Sequence, residues 1–230
     1  MDEMMNVLDV NIDNCSAKQA MKASVEYMGT AVTNVVELVT IEALMCAKDD
    51  PELKKAIEQS DLVLPGQKEI LEAAGVAETR RLQETGAQTY IKMYLKYLHK
   101  NRCRVYLLAE TEEEVNQMAG CFAARYRGIQ IVGAAKVAEG SETDDMLVNA
   151  INGGEADCVI SVLSPPLQEE FIARNRSLMN TRMWLGAGKL MDSLYRGRSG
   201  GGRLLSFVVR LFFKRETRKS RREMSVQGEL

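Results

Sequence analysis

The chain has 230 residues, 46% hydrophobic and 27% charged, with one histidine and five scattered cysteines. This composition supplies one sizeable core plus an appendage, and it excludes a disordered chain and a disulfide scaffold. The single histidine argues against a multi-histidine zinc site or a Ser-His-Asp triad, and no metal is expected. The net charge of −2 hides an asymmetry: residues 196–222 carry +9 and everything before them −9, so the tail faces an anionic partner.

Met1-Asp2-Glu3 opens acidic, unlike a secretory signal, and no run reaches the ~20 apolar residues of a spanning helix. The cysteines then read as reduced thiols of a cytoplasmic protein. Along the chain, Asn6 to Ile12 reads as a strand and Ser16 caps a helix running to Met28. Asn34 to Thr40 and Asp61 to Leu64 read as strands, and Ala87 to Lys100 has helical spacing. A strand over Cys103 to Ala109 precedes a capping box, Thr111 with Glu114, that opens a helix to Tyr126. Further strands are Ile129 to Gly133, Asp157 to Leu163 and Met183 to Gly186, with a helix starting at Ser141 or Thr143 and ending near Gly153. Strand-length apolar runs alternating with helical periodicity predict an α/β fold, a largely parallel sheet flanked by helices.

Two segments point to function. After the strand from Asp157, Pro165 and Pro166 break the run and Gln168, Glu169 and Glu170 begin a helix. Ligands collect at such strand-to-helix turns because free backbone N–H groups point at them. The second is the tail. A Gly/Arg-rich hinge over 196–203 separates the body, 1–195, from a basic amphipathic helical appendage, 204–230. Its apolar stretch Leu204 to Phe213 is too short to span but suits a bilayer interface, with Arg203, Arg210, Lys214, Arg215, Arg218 and Lys219 at anionic headgroups. The alternative is a helix docked on the body, and the same stretch would suit a contact within a homo-oligomer. No nucleic-acid module accompanies the charge, so nucleic acid is not an expected partner.

Pro166, Gln168, Glu169, Ile172 and Asn175, the turn Gly186, Gly188 and Asp192, the strand end Val39-Thr40 and the segment Asp61 to Pro65 come in an order that resembles the WecG/TagA/CpsF glycosyltransferases. Asn6 to Asn14 and Lys48 to Leu53 resemble the same family. The resemblance implies a Rossmann-like core and transfer of an N-acetylmannosamine-type sugar from a UDP-sugar to an undecaprenyl-diphosphate-linked acceptor. It further implies work without a metal or other cofactor, and a C-terminal appendage that holds the protein peripherally on the inner face of the cell membrane.

The chain departs from that pattern. Where the family carries an L-P-D-G aspartate as general base, this sequence has Gly66. Gln83 stands for an expected arginine and Gln88 for an expected aspartate, while Ala109-Glu110 and Ser164 replace glycines. A base contributes ~10²–10⁴-fold, and Glu42, two residues past Thr40, is the candidate substitute. Arg80 and Arg81 are candidates to meet the leaving phosphates, with Gly86, Gln168, Gly186, Gly188 and Asp192 as the remaining substrate-binding candidates and Thr40 as a catalytic one. The rival reading is a catalytically inactive homologue that binds a nucleotide sugar or acts as a scaffold.

Overall fold

The computed structural model describes residues 4–137, 144–195, 209–210 and 212–220. The segment expected as one strand from Asn6 to Ile12 is a hairpin, β1 (Met5–Val7) and β2 (Val10–Ile12), paired antiparallel. Leu8 and Asp9 turn it at φ 52° and 64°, and two successive left-handed residues match the twist of a hairpin. Apolar spacing alone does not reveal the turn, because Leu8 is itself buried.

The other strands are β3 (Asn34–Val39), β4 (Leu62–Pro65), β5 (Arg104–Ala109), β6 (Gln130–Lys136), β7 (Cys158–Ser161) and β8 (Met183–Gly186). They form one sheet in the order β4-β3-β8-β7-β5-β6, every neighbour parallel. The expected α/β, Rossmann-like, largely parallel architecture is therefore the observed one. Four of these strands are buried throughout, as a sheet covered on both faces requires.

One face carries Val36, Leu38, Leu64, Leu107 and Ile160 beneath α1 (Ala17–Tyr27), α6 (Thr89–Lys100) and α7 (Glu112–Arg125). On the other lie α2 (Ile41–Asp49), α3 (Pro51–Glu58), α8 (Asp144–Gly153) and α9 (Leu167–Asn175), with Phe171 stacked on Trp184. Two short helices, α4 (Lys68–Ala73) and α5 (Thr79–Gly86), follow β4, and α10 (Asp192–Tyr195) follows β8. The caps at Ser16 and Thr111 form as expected. The Glu114 carboxylate, however, reaches past Thr111 to accept the Glu110 N–H at 3.2 Å. Ser141 and Thr143 lie outside the described residues.

The described part of the tail is helical and lies on the body. Phe213 is buried with Val209 against the core of α2, α3 and α4. Arg210 pairs with Glu69 at 3.2 Å and Lys48 pairs with Glu216. Phe212, Lys214, Arg215, Arg218 and Lys219 are on the exposed side of this helix. Arg203 and the hinge at 196–203 lie outside the described residues.

Candidate functional site

A pocket opens on the α1/α6 face at the carboxyl ends of β3 and β4. Its apolar lining comes from Ala20, Leu38, Leu64, Tyr90, Ile91 and Leu190, and its polar lining from Ser16, Arg81, Glu84, Thr85, Gln88 and Thr89. An apolar floor with a few convergent polar groups at strand ends is the usual build of a small-molecule site. Two helices present their amino ends here. That of α1 is closed by the Ser16–Gln19 capping box, and that of α6, beginning after left-handed Gln88, has no side-chain cap. The Arg81 guanidinium donates to Asn14 Oδ1 and to the Cys15 carbonyl at 3.2 Å. Glu84 accepts from the Ala17 N–H at 3.3 Å and from Arg80 Nε at 3.0 Å.

Gly66 also lines this pocket, and the space an aspartate would need there is filled. A β-carbon at Gly66 would lie 2.5 Å from Leu190 Cδ1 and 2.8 Å from the Val39 carbonyl oxygen. Leu190 is held by Gln88, whose Nε2 donates to the Leu190 carbonyl at 2.6 Å while its Oε1 accepts from Ser193 Oγ at 2.8 Å. Gln67, beside Gly66, accepts the Ile41 N–H at 2.7 Å. Together with Thr40 Oγ1, which accepts from the Ala43 N–H at 3.1 Å, it closes the amino end of α2.

The opposite face of the sheet, at the same strand ends, holds a closed polar cluster. Glu37 of β3 lies in register with Gly186 of β8, and Gly186 with Ser161 of β7. Glu37 is 1% exposed and Gln168 2%. Gln168 Nε2 donates to Glu37 Oε1 at 2.7 Å, and its Oε1 accepts the Gly188 N–H at 3.2 Å. Both ends of this amide are therefore used inside the protein. A β-carbon at Gly186 would lie 2.1 Å from Glu37 Oε2 and 2.9 Å from Gln168 Nε2, so this glycine makes room for the cluster. Gly188 is at φ +50°, where a side chain is strained.

Glu169 completes the cluster. Burial, then the carboxylates of Glu170 and Glu42, push its carboxyl up to about 7, and burial and Glu169 raise Glu37 well above the usual carboxylate range. One oxygen of each, Glu37 Oε2 and Glu169 Oε2, has no hydrogen-bond partner among the described residues. Glu170, by contrast, is exposed in the first turn of α9 and pairs with Arg174 at 3.4 Å.

A further network joins the segments that follow β5, β7 and β8. Glu110 Oε1 accepts the Ser164 N–H at 2.5 Å, and Lys189 Nζ reaches Glu110 Oε2 at 3.1 Å and Glu114 Oε1 at 2.8 Å. Burial works against the Glu110 carboxylate, but the Ser164 N–H and Lys189 outweigh it and hold it below the usual range. Glu110 and Ser164, which replace the expected glycines, are thus each other's partners.

Of the residues singled out from sequence, Arg81 lines the pocket. Arg80 is directed outward, its side chain 79% exposed. Gly86 ends α5, Asp192 Oδ1 accepts from Tyr195 Oη at 2.6 Å, and Thr40 caps α2. Glu42 is exposed in the first turn of α2, on the Glu169 side of the sheet. Gln83, where the resemblance expects an arginine, is exposed and absent from the lining. Sequence alone did not point to Glu84, Thr85 and Leu190. The helical spacing of Arg81, Glu84 and Thr85 on one side of α5 was the available signal. Lone His99 is structural, its Nδ1 accepting the Gly128 N–H at 2.7 Å.

No curated protein matches the chain. The model of the glycosyl transferase WecG/TagA/CpsF family matches residues 5–195, the hairpin and the whole sheet with its helices, and therefore every residue of the pocket and of the polar cluster beneath it. By that match, which spans most of its length, the chain belongs to the WecG/TagA/CpsF glycosyltransferase family.

Proposed function

We propose that this protein transfers an N-acetylhexosamine of the N-acetylmannosamine type from a UDP-sugar to a polyprenyl-diphosphate-linked acceptor, without a metal. The observation that carries the reading is the pocket where β3 and β4 end, with its apolar floor and its rim of Ser16, Arg81, Glu84, Thr85 and Gln88. Such a lining suits a sugar, whose hydroxyls need polar partners and whose acetamido methyl needs an apolar one. The open amino end of α6 and Arg81 supply positive potential for the departing diphosphate. Titrating the full chain with UDP-N-acetylmannosamine and UDP-N-acetylglucosamine by calorimetry tests recognition directly. Binding with a Kd below ~1 mM, the upper end of ordinary KM values, supports the reading, and no heat from either sugar removes it.

A second reading, nucleotide-sugar binding without turnover, is favoured by one observation. Leu190 and the Val39 carbonyl occupy the space beside Gly66 that the family's aspartate would fill. Release of UDP by the wild-type protein, with a lipid-linked acceptor present, separates the two.

The docked C-terminal helix turns Phe212, Lys214, Arg215, Arg218 and Lys219 away from the body. This face suits the anionic inner leaflet, worth ~1 kcal/mol per cation near the surface. Changing Lys214, Arg215 and Arg218 to alanine leaves the docking residues Phe213 and Arg210 in place. Flotation on phosphatidylglycerol vesicles that does not fall in this variant excludes the membrane role.

A further inference from the structure

We propose that Glu84 is the general base of the transfer, taking the part of the aspartate that this chain lacks at Gly66; the proposal rests on the transferase reading above. Glu84 is the one acidic side chain among the described residues lining the pocket that holds Gly66. Glu42, the candidate from sequence, is exposed in the first turn of α2 and does not line it. Gly66 has no group to accept a proton, and a carboxylate cannot be restored there while Leu190 and the Val39 carbonyl fill its space.

Glu84 is held as a base must be. It sits on the side of α5 that also gives the pocket Arg81 and Thr85. Its carboxylate is oriented by the Ala17 N–H at 3.3 Å and Arg80 Nε at 3.0 Å. Arg80 approaches from solvent, so the side chain, 21% exposed, is fixed without being enclosed. Each oxygen has further lone-pair capacity, since an ionised carboxylate offers about four acceptor sites.

In the step, the acceptor hydroxyl gives its proton to a Glu84 oxygen while its oxygen lone pair forms the bond to the sugar's anomeric carbon. The bond from that carbon to the β-phosphate oxygen breaks, and its electron pair leaves with UDP. Glu84 ends protonated and returns its proton to water after UDP departs, so the charge balances without a further reactant.

The test uses the full-length protein, UDP-N-acetylmannosamine and an undecaprenyl-diphosphate-linked monosaccharide, with UDP release as the rate. Glu84→Gln keeps an acceptor oxygen for the Ala17 N–H and is expected to lower kcat by about 10²–10⁴-fold. UDP-sugar Kd by calorimetry should stay within about threefold. Sodium formate, small enough to enter the space left by Glu84→Ala, should recover part of the lost rate; a merely structural glutamate would give no such rescue. A Glu84→Gln rate equal to wild type overturns the assignment, as does equal loss of binding and rate without formate rescue. In both cases the transferase reading stands, because the wild type still releases UDP. A wild-type protein that binds the sugar and releases no UDP overturns transfer itself, and Glu84 as base with it.

Discussion

The two sides of β3 use the same strand end in opposite ways. Leu38 faces a pocket whose floor is apolar and whose rim is polar, while neighbouring Glu37 faces a packed cluster in which the Glu37 and Gln168 side chains fill the space beside Gly186, and Gln168 also accepts the Gly188 N–H. The residues most prominent as a motif, the Pro165 to Glu169 turn, are on the filled side. Their visible work is to tie the β8 turn to β3, with the Gln168 amide as the clasp. The open side departs from what the resemblance leads one to expect, with Gly66 where an aspartate was expected. A recognisable motif and the place where a ligand has room are therefore separate properties in this chain, even at one end of one strand.

The strongest way to break the contrast is to add one methyl group on the filled side. Gly186→Ala places its β-carbon 2.1 Å from Glu37 Oε2 in a fully buried row. Overpacking costs ~1–3 kcal/mol, occasionally more, and this variant is expected at or above about 3 kcal/mol because the displaced group is a buried carboxyl. A urea midpoint within experimental error of wild type would show that the cluster is loosely packed after all.

Glu169 tests the same side through pH. Its carboxyl is raised to about 7 in the folded protein, against an ordinary value of 4.5. The folded state thus keeps a proton that the unfolded chain releases, and stability should fall as pH rises from about 4.5 to about 7, then level. Glu37, raised in the same direction by burial and by Glu169, adds to the fall. Glu169→Gln keeps the shape and removes the charge. At pH 8 it is expected to be more stable than wild type by about 3 kcal/mol, since each tenfold difference in proton affinity between the folded and unfolded chain is worth ~1.4 kcal/mol. Melting temperature followed from pH 4.5 to 8 should lose much of its slope in the variant; an unchanged slope removes Glu169 as its source.

The pocket side predicts a coupled pair instead. Gly66→Ala meets Leu190 and the Val39 carbonyl and should cost about 2 kcal/mol. In a Leu190→Ala background the first obstacle is gone, so the penalty should shrink by about 1 kcal/mol. Residues in contact couple on that scale, and a double-mutant cycle with zero coupling would show that Leu190 does not occupy the base's space.

How much of this was legible in the sequence follows from what each feature depends on. The six strands of the main sheet were readable because each is a short, largely apolar run between helical periods. The β1–β2 hairpin was not, since its turn uses Leu8 and Asp9 rather than glycine or asparagine. The pocket was half legible. Arg81 stands out by its charge, but Glu84 lies three residues on in α5, a short helix with no buried residue to mark its face. The burial of Gln168 was out of reach, because its partner Glu37 is 131 residues away in the chain and looks, in sequence, like a polar residue in an otherwise apolar strand.

The smallest expected effect makes the sharpest comparison. Gly86→Ala is the same change as Gly186→Ala on the opposite side, at the end of α5, where the nearest atom to the new β-carbon is Lys68 Cδ at 3.7 Å. That is ordinary contact with a flexible chain, and alanine is a better helix residue than glycine by up to ~1 kcal/mol. The folded protein should therefore be unchanged or slightly stabilised. Since stability is indifferent at this position, any loss of UDP-sugar affinity in Gly86→Ala reports a ligand that approaches the α5 backbone closely. Unchanged affinity instead removes Gly86 from the binding surface and leaves recognition to Arg81, Glu84 and the amino end of α6.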